Sequence, residues 1–450
     1  MEIGIFAQMA IAAVLATLIY TIIGIVPGTD ETAVIAPVVL ALVLSGMQPV
    51  VVLTFYMAAI ISHKLTDSIP VAVAGIPGGV MATPMVEHAL VLKKAGASDL
   101  TIRKMASGSL IGTLVSVPAS FLLASLLIPF SQTIKEYANP LFFAGALLLA
   151  LLSKNRWLSL AFILPFALLV QALRYLYWGL GIIPEGTNVF ISFFLGITIG
   201  PVIYTLFELF DRKKREGMLR DEKKRIFLSE SGKESGFPNP FRILTKKEIV
   251  FSVLSSLLGC FTFILSAVGT TTLIGELFSS REKDPVKKSS LAIACMEALA
   301  NATYVSGTLI PLIAIGIPLS SVALGPGNPL FNAPPVFTIE RNMHHLLSMG
   351  DFFWATVIGA GIALVFTYIL AVKYSRPICR FVFKRIPHEA ILGLFFSLVL
   401  LLAYMDAGWL NIGGVLLIGL VSGLFHRAGV SFGVQFMTLY CAPWLISLFG

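Results

Sequence analysis

Ile310-Pro311-Leu312-Ile313-Ala314-Ile315-Gly316-Ile317-Pro318 is the stretch that decides how this chain is read. Each of its two prolines removes a backbone donor and crowds the preceding turn, and Gly316 adds backbone freedom between them. A helix through this stretch cannot stay undisturbed. The same pattern stands earlier as Ile69-Pro70-Val71-Ala72-Val73-Ala74-Gly75-Ile76-Pro77. Ile310 follows Ile69 by 241 positions, Pro318 follows Pro77 by 241, and Gly269-Thr270 follows Gly28-Thr29 by 241. The chain therefore reads as two related halves, each with a glycine- and proline-interrupted hydrophobic segment. In membrane proteins such paired interruptions point to a transporter's binding site.

Composition agrees. Hydrophobic residues make up 57% of the 450 and charged residues only 12%, whereas soluble domains carry about a quarter charged residues. Uncharged apolar runs of up to membrane-spanning length recur, among them Met9–Val26, Leu110–Phe130, Leu158–Leu173, Phe190–Phe207 and Phe352–Val372. The expectation is an all-α, multi-pass integral membrane protein of about 12–14 segments, some broken or re-entrant. The Met1-Glu2-Ile3-Gly4 start lacks a basic region, so the first run should stay as a membrane helix and not be removed as a signal peptide. The net charge of +8 reads as loop lysine and arginine, not as a nucleic-acid surface. Cys260, Cys295, Cys379 and Cys441 have no metal-site spacing and read as buried small hydrophobes.

Three regions follow: a membrane repeat over 1–210, a basic linker over 211–247 with twelve Lys or Arg residues, and a second repeat over 248–450. The linker should meet the cytoplasm and lipid headgroups. Shifted by 241, the basic loop at Lys93–Lys104 falls on Pro334–His345, which holds only Arg341. The basic loop at Arg281–Lys288 falls on Leu40–Met47, which holds no Lys or Arg. Because Lys and Arg are biased to the cytoplasm, this alternation predicts that one half is inverted relative to the other, with Pro334–His345 outside.

Polar residues beside the interruptions are the candidate site. Asp30 and Glu31, next to Thr29, are costly in a bilayer unless they sit at an interface or line a polar cavity. The cluster His63-Lys64-Leu65-Thr66-Asp67-Ser68 leads directly into the first interruption; it reads as a substrate or ion site, or as a solvated loop. Glu297 and Asn301 lie four apart on one helical face; they could bind sodium, carry a proton, or pin two helices together. Backbone freed at a broken helix offers amides to a carboxylate and carbonyls to a cation. On that logic Thr66, Ser68, Gly75, Pro77, Gly78, Gly79, Gly316, Pro318, Ser320 and Ser321 are the expected substrate contacts. Thr29, Asp30, Glu31, Asp67, Thr270, Thr271, Glu297 and Asn301 are the expected ion-binding or gating residues, and the tips of the two interruptions should meet near the membrane midplane.

With these residues laid out, the chain resembles the large membrane subunit of the tripartite tricarboxylate transporters. The resemblance rests on Gly24-Ile25-Val26-Pro27-Gly28, on Gly75-Ile76-Pro77-Gly78, and on Glu297-Ala298-Leu299-Ala300-Asn301-Ala302 running into Gly316-Ile317-Pro318. It implies a secondary transporter of the cell membrane for small carboxylates, driven by sodium or protons. It further implies a small membrane subunit and an extracytoplasmic binding protein as partners. The chain departs from the family pattern in Thr29-Asp30-Glu31 after the first Pro-Gly and in Leu319-Ser320 after the second Ile-Pro. Acids beside an anion's site suggest a coupling cation. Oligomeric state and the coupling ion stay open, as do a transporter of another solute and a channel or scaffold subunit. No cofactor is expected.

An enzyme is the rival class. Gly429-Val430-Ser431-Phe432-Gly433 matches a nucleophile-elbow pattern, but that motif acts on a strand-to-helix turn and here lies in a helical membrane region. His344-His345 reads as a loop pair with poor geometry for one metal, and no phosphate-binding Gly-x-x-x-x-Gly-Lys-Ser/Thr occurs.

Overall fold

The computed structural model describes residues 3–26, 29–74, 78–153, 155–185, 189–208, 212, 239–265, 267–385 and 388–449. The described residues form helices and no strand. In chain order the helices used below are α1 (Ile3–Ile25), α2 (Glu31–Leu44), α3 (Pro49–Thr66), α4 (Ile69–Ala74), α5 (Val86–Lys94) and α6 (Ser98–Leu127). They continue as α7 (Ala138–Leu152), α8 (Arg156–Gly179), α9 (Phe190–Thr198), α10 (Gly200–Glu208), α11 (Lys246–Phe261) and α12 (Ala267–Ser279). The last six are α13 (Pro285–Ala314), α14 (Ser321–Leu324), α15 (Met343–Leu346), α16 (Met349–Arg385), α17 (His388–Arg427) and α18 (Phe432–Ser447).

Two of these have no outward face over most of their length. Every residue of α3 from Val50 to Thr66 is buried, as is every residue of α13 from Ser289 to Ala314. A helix apolar all round is stable only when surrounded, and both are. Each starts with proline at its first turn, where the missing amide costs nothing. Asp284 caps α13 by accepting from the amides of Val286 and Lys287.

The neighbours of α3 and α13 come in matched pairs under the 241-residue offset. Helix α1 packs on α3 and α11 on α13; α6 packs on α13 and α16 on α3; α6 touches α11 and α16 touches α1. Beyond them α9 and α10 pack on α17, while α18 packs on α8. Both pairs meet closely at glycine: a methyl group on Gly112 of α6 would lie 2.4 Å from the carbonyl oxygen of Ala298, and one on Gly359 of α16 would lie 2.6 Å from the carbonyl oxygen of Thr54. Gly108 and Gly112 of α6, set against the backbone of Ala294 and Ala298, serve close helix packing.

Six helices are long and apolar enough to cross a bilayer, among the described residues: those within 3–25, 49–73, 99–136, 156–179, 349–374 and 393–427. Glu31–Leu44 and Ala138–Leu152 are apolar but shorter. This is fewer than the 12–14 segments expected. Helix α17 is interrupted at Ala407-Gly408, where Gly408 has φ of 74°.

Two local expectations are corrected. His63–Ser68 is no solvated loop: α3 continues through Thr66, and all six residues are buried. The second interruption does not begin at Pro311. Helix α13 runs through it to Ala314 and ends before Gly316, whose φ of 78° favours glycine. Pro311 leaves the Gly307 carbonyl without its helical amide, and the Ser320 hydroxyl donates to that carbonyl at 2.5 Å instead.

Candidate functional site

The end of α1, the start of α2 and the end of α3 bring acids together. Thr29 donates its hydroxyl to the carbonyls of Ile23 and Val26, closing the end of α1. Asp30 then caps α2, accepting from the amides of Thr32 at 2.9 Å and Ala33 at 3.4 Å. Adjacent Glu31 points the other way, into the interior. There Glu31, His63, Lys64, Asp67 and Glu297 are all at most 2% exposed. Lys64 Nζ pairs with Asp67 Oδ2 one helical turn on and lies within electrostatic reach of Glu297 and Glu31.

The cluster holds three carboxylates against one ammonium, with a histidine beside them. One donor atom each from Glu31, His63 and Asp67 fall within 4.8 Å of one another. Glu31 Oε1, Asp67 Oδ1, Glu297 Oε1 and both ring nitrogens of His63 are buried without a hydrogen-bond partner. Buried polar atoms are ordinarily paired, and a charge excess in a desolvated interior calls for a cation or protons. Two carboxylates and an imidazole offer oxygen and nitrogen lone pairs to either.

Glycine lets the chain close over this group. After the first interruption, the Gly78 amide donates to the Asp67 carbonyl at 3.1 Å. A methyl group on Gly79 would meet Glu31 Oε1 at 2.9 Å and Asp67 Oδ2 at 3.2 Å. Ser109 of α6, in the first half, donates to Glu297 Oε2 of the second half at 2.9 Å and accepts from Asn301 Nδ2 at 2.8 Å. Asn301 also donates to the Glu297 carbonyl at 3.1 Å, so Glu297 and Asn301 are joined through a neighbouring helix.

The offset exposes an asymmetry. Thr308 stands 241 positions after Asp67, and Glu297 stands 241 after Tyr56. Tyr56 and Thr308 share a neutral hydrogen bond of 2.8 Å, while their counterparts Glu297 and Asp67 are both acids. Likewise Asp30 and Glu31 correspond to Thr271 and Thr272. One related position carries charge and its mate carries hydroxyls.

The remaining expected residues are placed as follows. The Thr66 hydroxyl is held by the Ser62 and His63 carbonyls; Ser68 lies within reach of Glu297. Gly75 and Pro77 lie outside the described residues. Thr270 donates to the Ala267 carbonyl, and Thr271 is buried on α12 with its hydroxyl unpartnered. Pro318 is buried; Ser320 caps α14, which Ser321 begins. At the second interruption the freed backbone already has protein partners. Asn342 donates to the Gly316 carbonyl at 2.8 Å, and His344 Nδ1 approaches the Leu312 and Ile313 carbonyls at 3.1 and 3.0 Å. The His344-His345 pair thus lies in a helical turn that closes α13. His63 and Lys64 belong to the polar cluster that the sequence offers as a substrate or ion site, and their signal there is a histidine and a lysine directly after the apolar run Val50–Ile61.

Helices fit to cross a membrane, packed around a buried, charge-unbalanced polar cluster, define an integral membrane protein with a candidate site in its interior. The chain matches the model of the tripartite tricarboxylate transporter TctA family over residues 10–435 and belongs to that family. It is therefore a component of a tripartite tricarboxylate transporter, a transport protein of a membrane. No curated protein and no solved structure matches it.

Proposed function

We propose that the chain is an ion-coupled secondary transporter for small carboxylates, working by alternating access, with Glu31, Asp67 and Glu297 as the coupling-ion site. The observation that carries this reading is the set of fully buried, unpartnered donors on Glu31, His63 and Asp67. A driving ion must be bound where a conformational change can expose it to either side. The cluster lies among helices from both halves. Related halves of inverted orientation, exchanging neighbours as α6 with α13 and α16 with α3, would supply two such states. The ion is sodium or a proton. Thr29 and Asp30 hold the approach to Glu31, and Ser68, Gly78 and Gly79 form the surface where ion and substrate sites would adjoin. A small membrane subunit and an extracytoplasmic binding protein complete the system in the cell membrane.

Purified protein in liposomes, given labelled di- and tricarboxylates under imposed sodium and proton gradients, tests this. Uptake against a concentration gradient that collapses with one of the two ion gradients is the expected result. Passive equilibration unaffected by either gradient would overturn it in favour of a channel.

A further inference from the structure

A second polar feature lies away from the acid cluster. A cavity of about 560 Å³ opens between α7, α8 and α18 on one side and the segment following α13 on the other. Its polar lining includes Lys135, Asn139, Arg174, Asn332, His345 and Tyr440, and Ile317 of the second interruption also reaches it. Arg174 is only 8% exposed, yet it belongs to a helix apolar and long enough to span a bilayer. An arginine in such a helix faces an interior or a water-filled cavity and pairs there with something. Here its guanidinium donates to the Gln171 side chain at 3.1 Å and stacks over Trp178, while its Nε has no partner. No carboxylate among the described residues forms an ion pair with it. Lys135 contacts His345 Nε2 at 3.3 Å and likewise forms no ion pair with an acid among the described residues. The lining includes one acid, Glu340, which is exposed.

We propose that this cavity is a carboxylate-binding vestibule in which Arg174 and Lys135 receive the anionic substrate. The reasoning is a balance of charge. The central cluster has an excess of carboxylates and repels an anion, whereas this cavity has two cations against one acid at its edge. Arginine's planar fork matches a carboxylate in two parallel hydrogen bonds, and lysine supplies a second positive point for a second carboxylate. Asn332, buried in the lining, and Asn139 add neutral donors. The Tyr440 ring is held in the wall by stacking on Phe142 and by the Asn328 amide, which donates to its hydroxyl at 2.7 Å. Contact with Ile317 links the vestibule to the end of α13, the helix that carries Glu297. The inference rests on the reading of the chain as a carboxylate transporter and assigns the anion a place of its own.

Equilibrium binding of labelled citrate to the purified full-length protein in detergent tests it without requiring transport. Arg174→Gln and Lys135→Gln are each expected to weaken citrate at least about tenfold, and Arg174→Lys, which keeps the charge but loses the fork, to fall between. Lys283→Gln, an equal loss of charge on an exposed loop, should change affinity less than twofold. Lys135 is only half-buried, so its variant stays informative should Arg174→Gln fail to fold in a melting scan. Citrate affinity unchanged in Lys135→Gln and in every folded Arg174 variant would overturn the proposal, as would loss confined to Asp67→Asn. If citrate binds with the expected dependence but liposomes show no ion-driven uptake, the coupling reading fails and the vestibule stands. If ion-driven uptake is intact and its KM ignores both side chains, the vestibule fails and the coupling reading stands.

Discussion

Asp30 and Glu31 show how little adjacency says about role. Asp30 uses its carboxylate to cap α2, while Glu31 turns inward with an unpartnered oxygen. Asp30→Ala should cost about 1 kcal/mol of stability, as the loss of a helix cap does, read as a lower melting temperature in detergent. Glu31→Gln should leave the fold near its original stability and abolish the ion dependence of uptake. If Glu31→Gln retains full ion coupling, the ion site lies elsewhere. Gly79 gives a finer test. A methyl group there would reach the Glu31 and Asp67 carboxylates, and the Glu31 tip can shift to admit it. Gly79→Ala is expected to raise the ion concentration for half-maximal uptake at least about threefold while melting within a few degrees of the parent. An unchanged ion titration would show that the glycine is not part of the ion site.

At the scale of elements, the contact of α6 with α13 holds the halves together. A methyl group on Gly112 would lie 2.4 Å from the Ala298 carbonyl oxygen, and backbone cannot step aside as a side-chain tip can. Gly112→Ala should therefore destabilise by about 1–3 kcal/mol, the usual cost of overpacking. A melting temperature equal to the parent's would mean the two helices separate freely. The same helices meet α11 through Lys104, Glu248 and Ser290. Lys104 Nζ donates to Glu248 Oε1 at 2.6 Å and to Ser290 at 2.5 Å, and Glu248 also closes the capping box of α11 with Thr245. Glu248 precedes the apolar run that begins at Ile249. Burial alone would raise its carboxyl, but the hydrogen bonds from Lys104, Ser290 and the Thr245 amide, with the Lys104 charge, bring it below the ordinary value. A folded pKa below the unfolded one, about 4.3, adds stability that is full above that value and is lost as pH falls through the folded one. Melting temperature should thus drop as pH falls below about 4, and Glu248→Gln, which leaves Lys104 buried without its counter-charge, should lower the plateau by about 3 kcal/mol and flatten this drop. An acid limb identical in parent and variant would remove Glu248 from the account.

For the whole molecule, the open question is orientation. Helix α13 is 30 residues long, about 45 Å at 1.5 Å per residue. The basic loop containing Lys283 lies before its start, and the Glu340 segment lies near its far end, where Asn342 and His344 close it. Lys283 and Glu340 are both exposed. With all four cysteines replaced, Glu340→Cys should react with an impermeant maleimide on intact cells, and Lys283→Cys should react only after permeabilisation. Equal labelling from outside would reject the orientation drawn from the basic loops. Asn342, in the same segment, cannot serve because it is buried.

The sequence by itself determined what depends on composition, spacing and backbone chemistry. Hydrophobic runs require helices in a membrane, because backbone groups find no other partners there. The 241-residue offset revealed two related halves, and the Gly-Ile-Pro at 316–318 marked the end of α13 because a positive φ suits glycine. Acids in such surroundings had to matter. Only the tertiary structure decided what those groups face. It put Lys64 on Asp67 and His63 beside Glu31, gave the freed Gly307 carbonyl to Ser320, and set Arg174 in a cavity with Lys135. It also showed that the matched positions Tyr56–Thr308 and Glu297–Asp67 bear opposite chemistry. The reason is physical: the energy of a charge or an unpaired carbonyl depends on the groups within a few ångströms of it. In this fold those groups come from neighbours near and far in the chain, from Asp67 beside Lys64 to Thr308, 252 positions after its partner Tyr56.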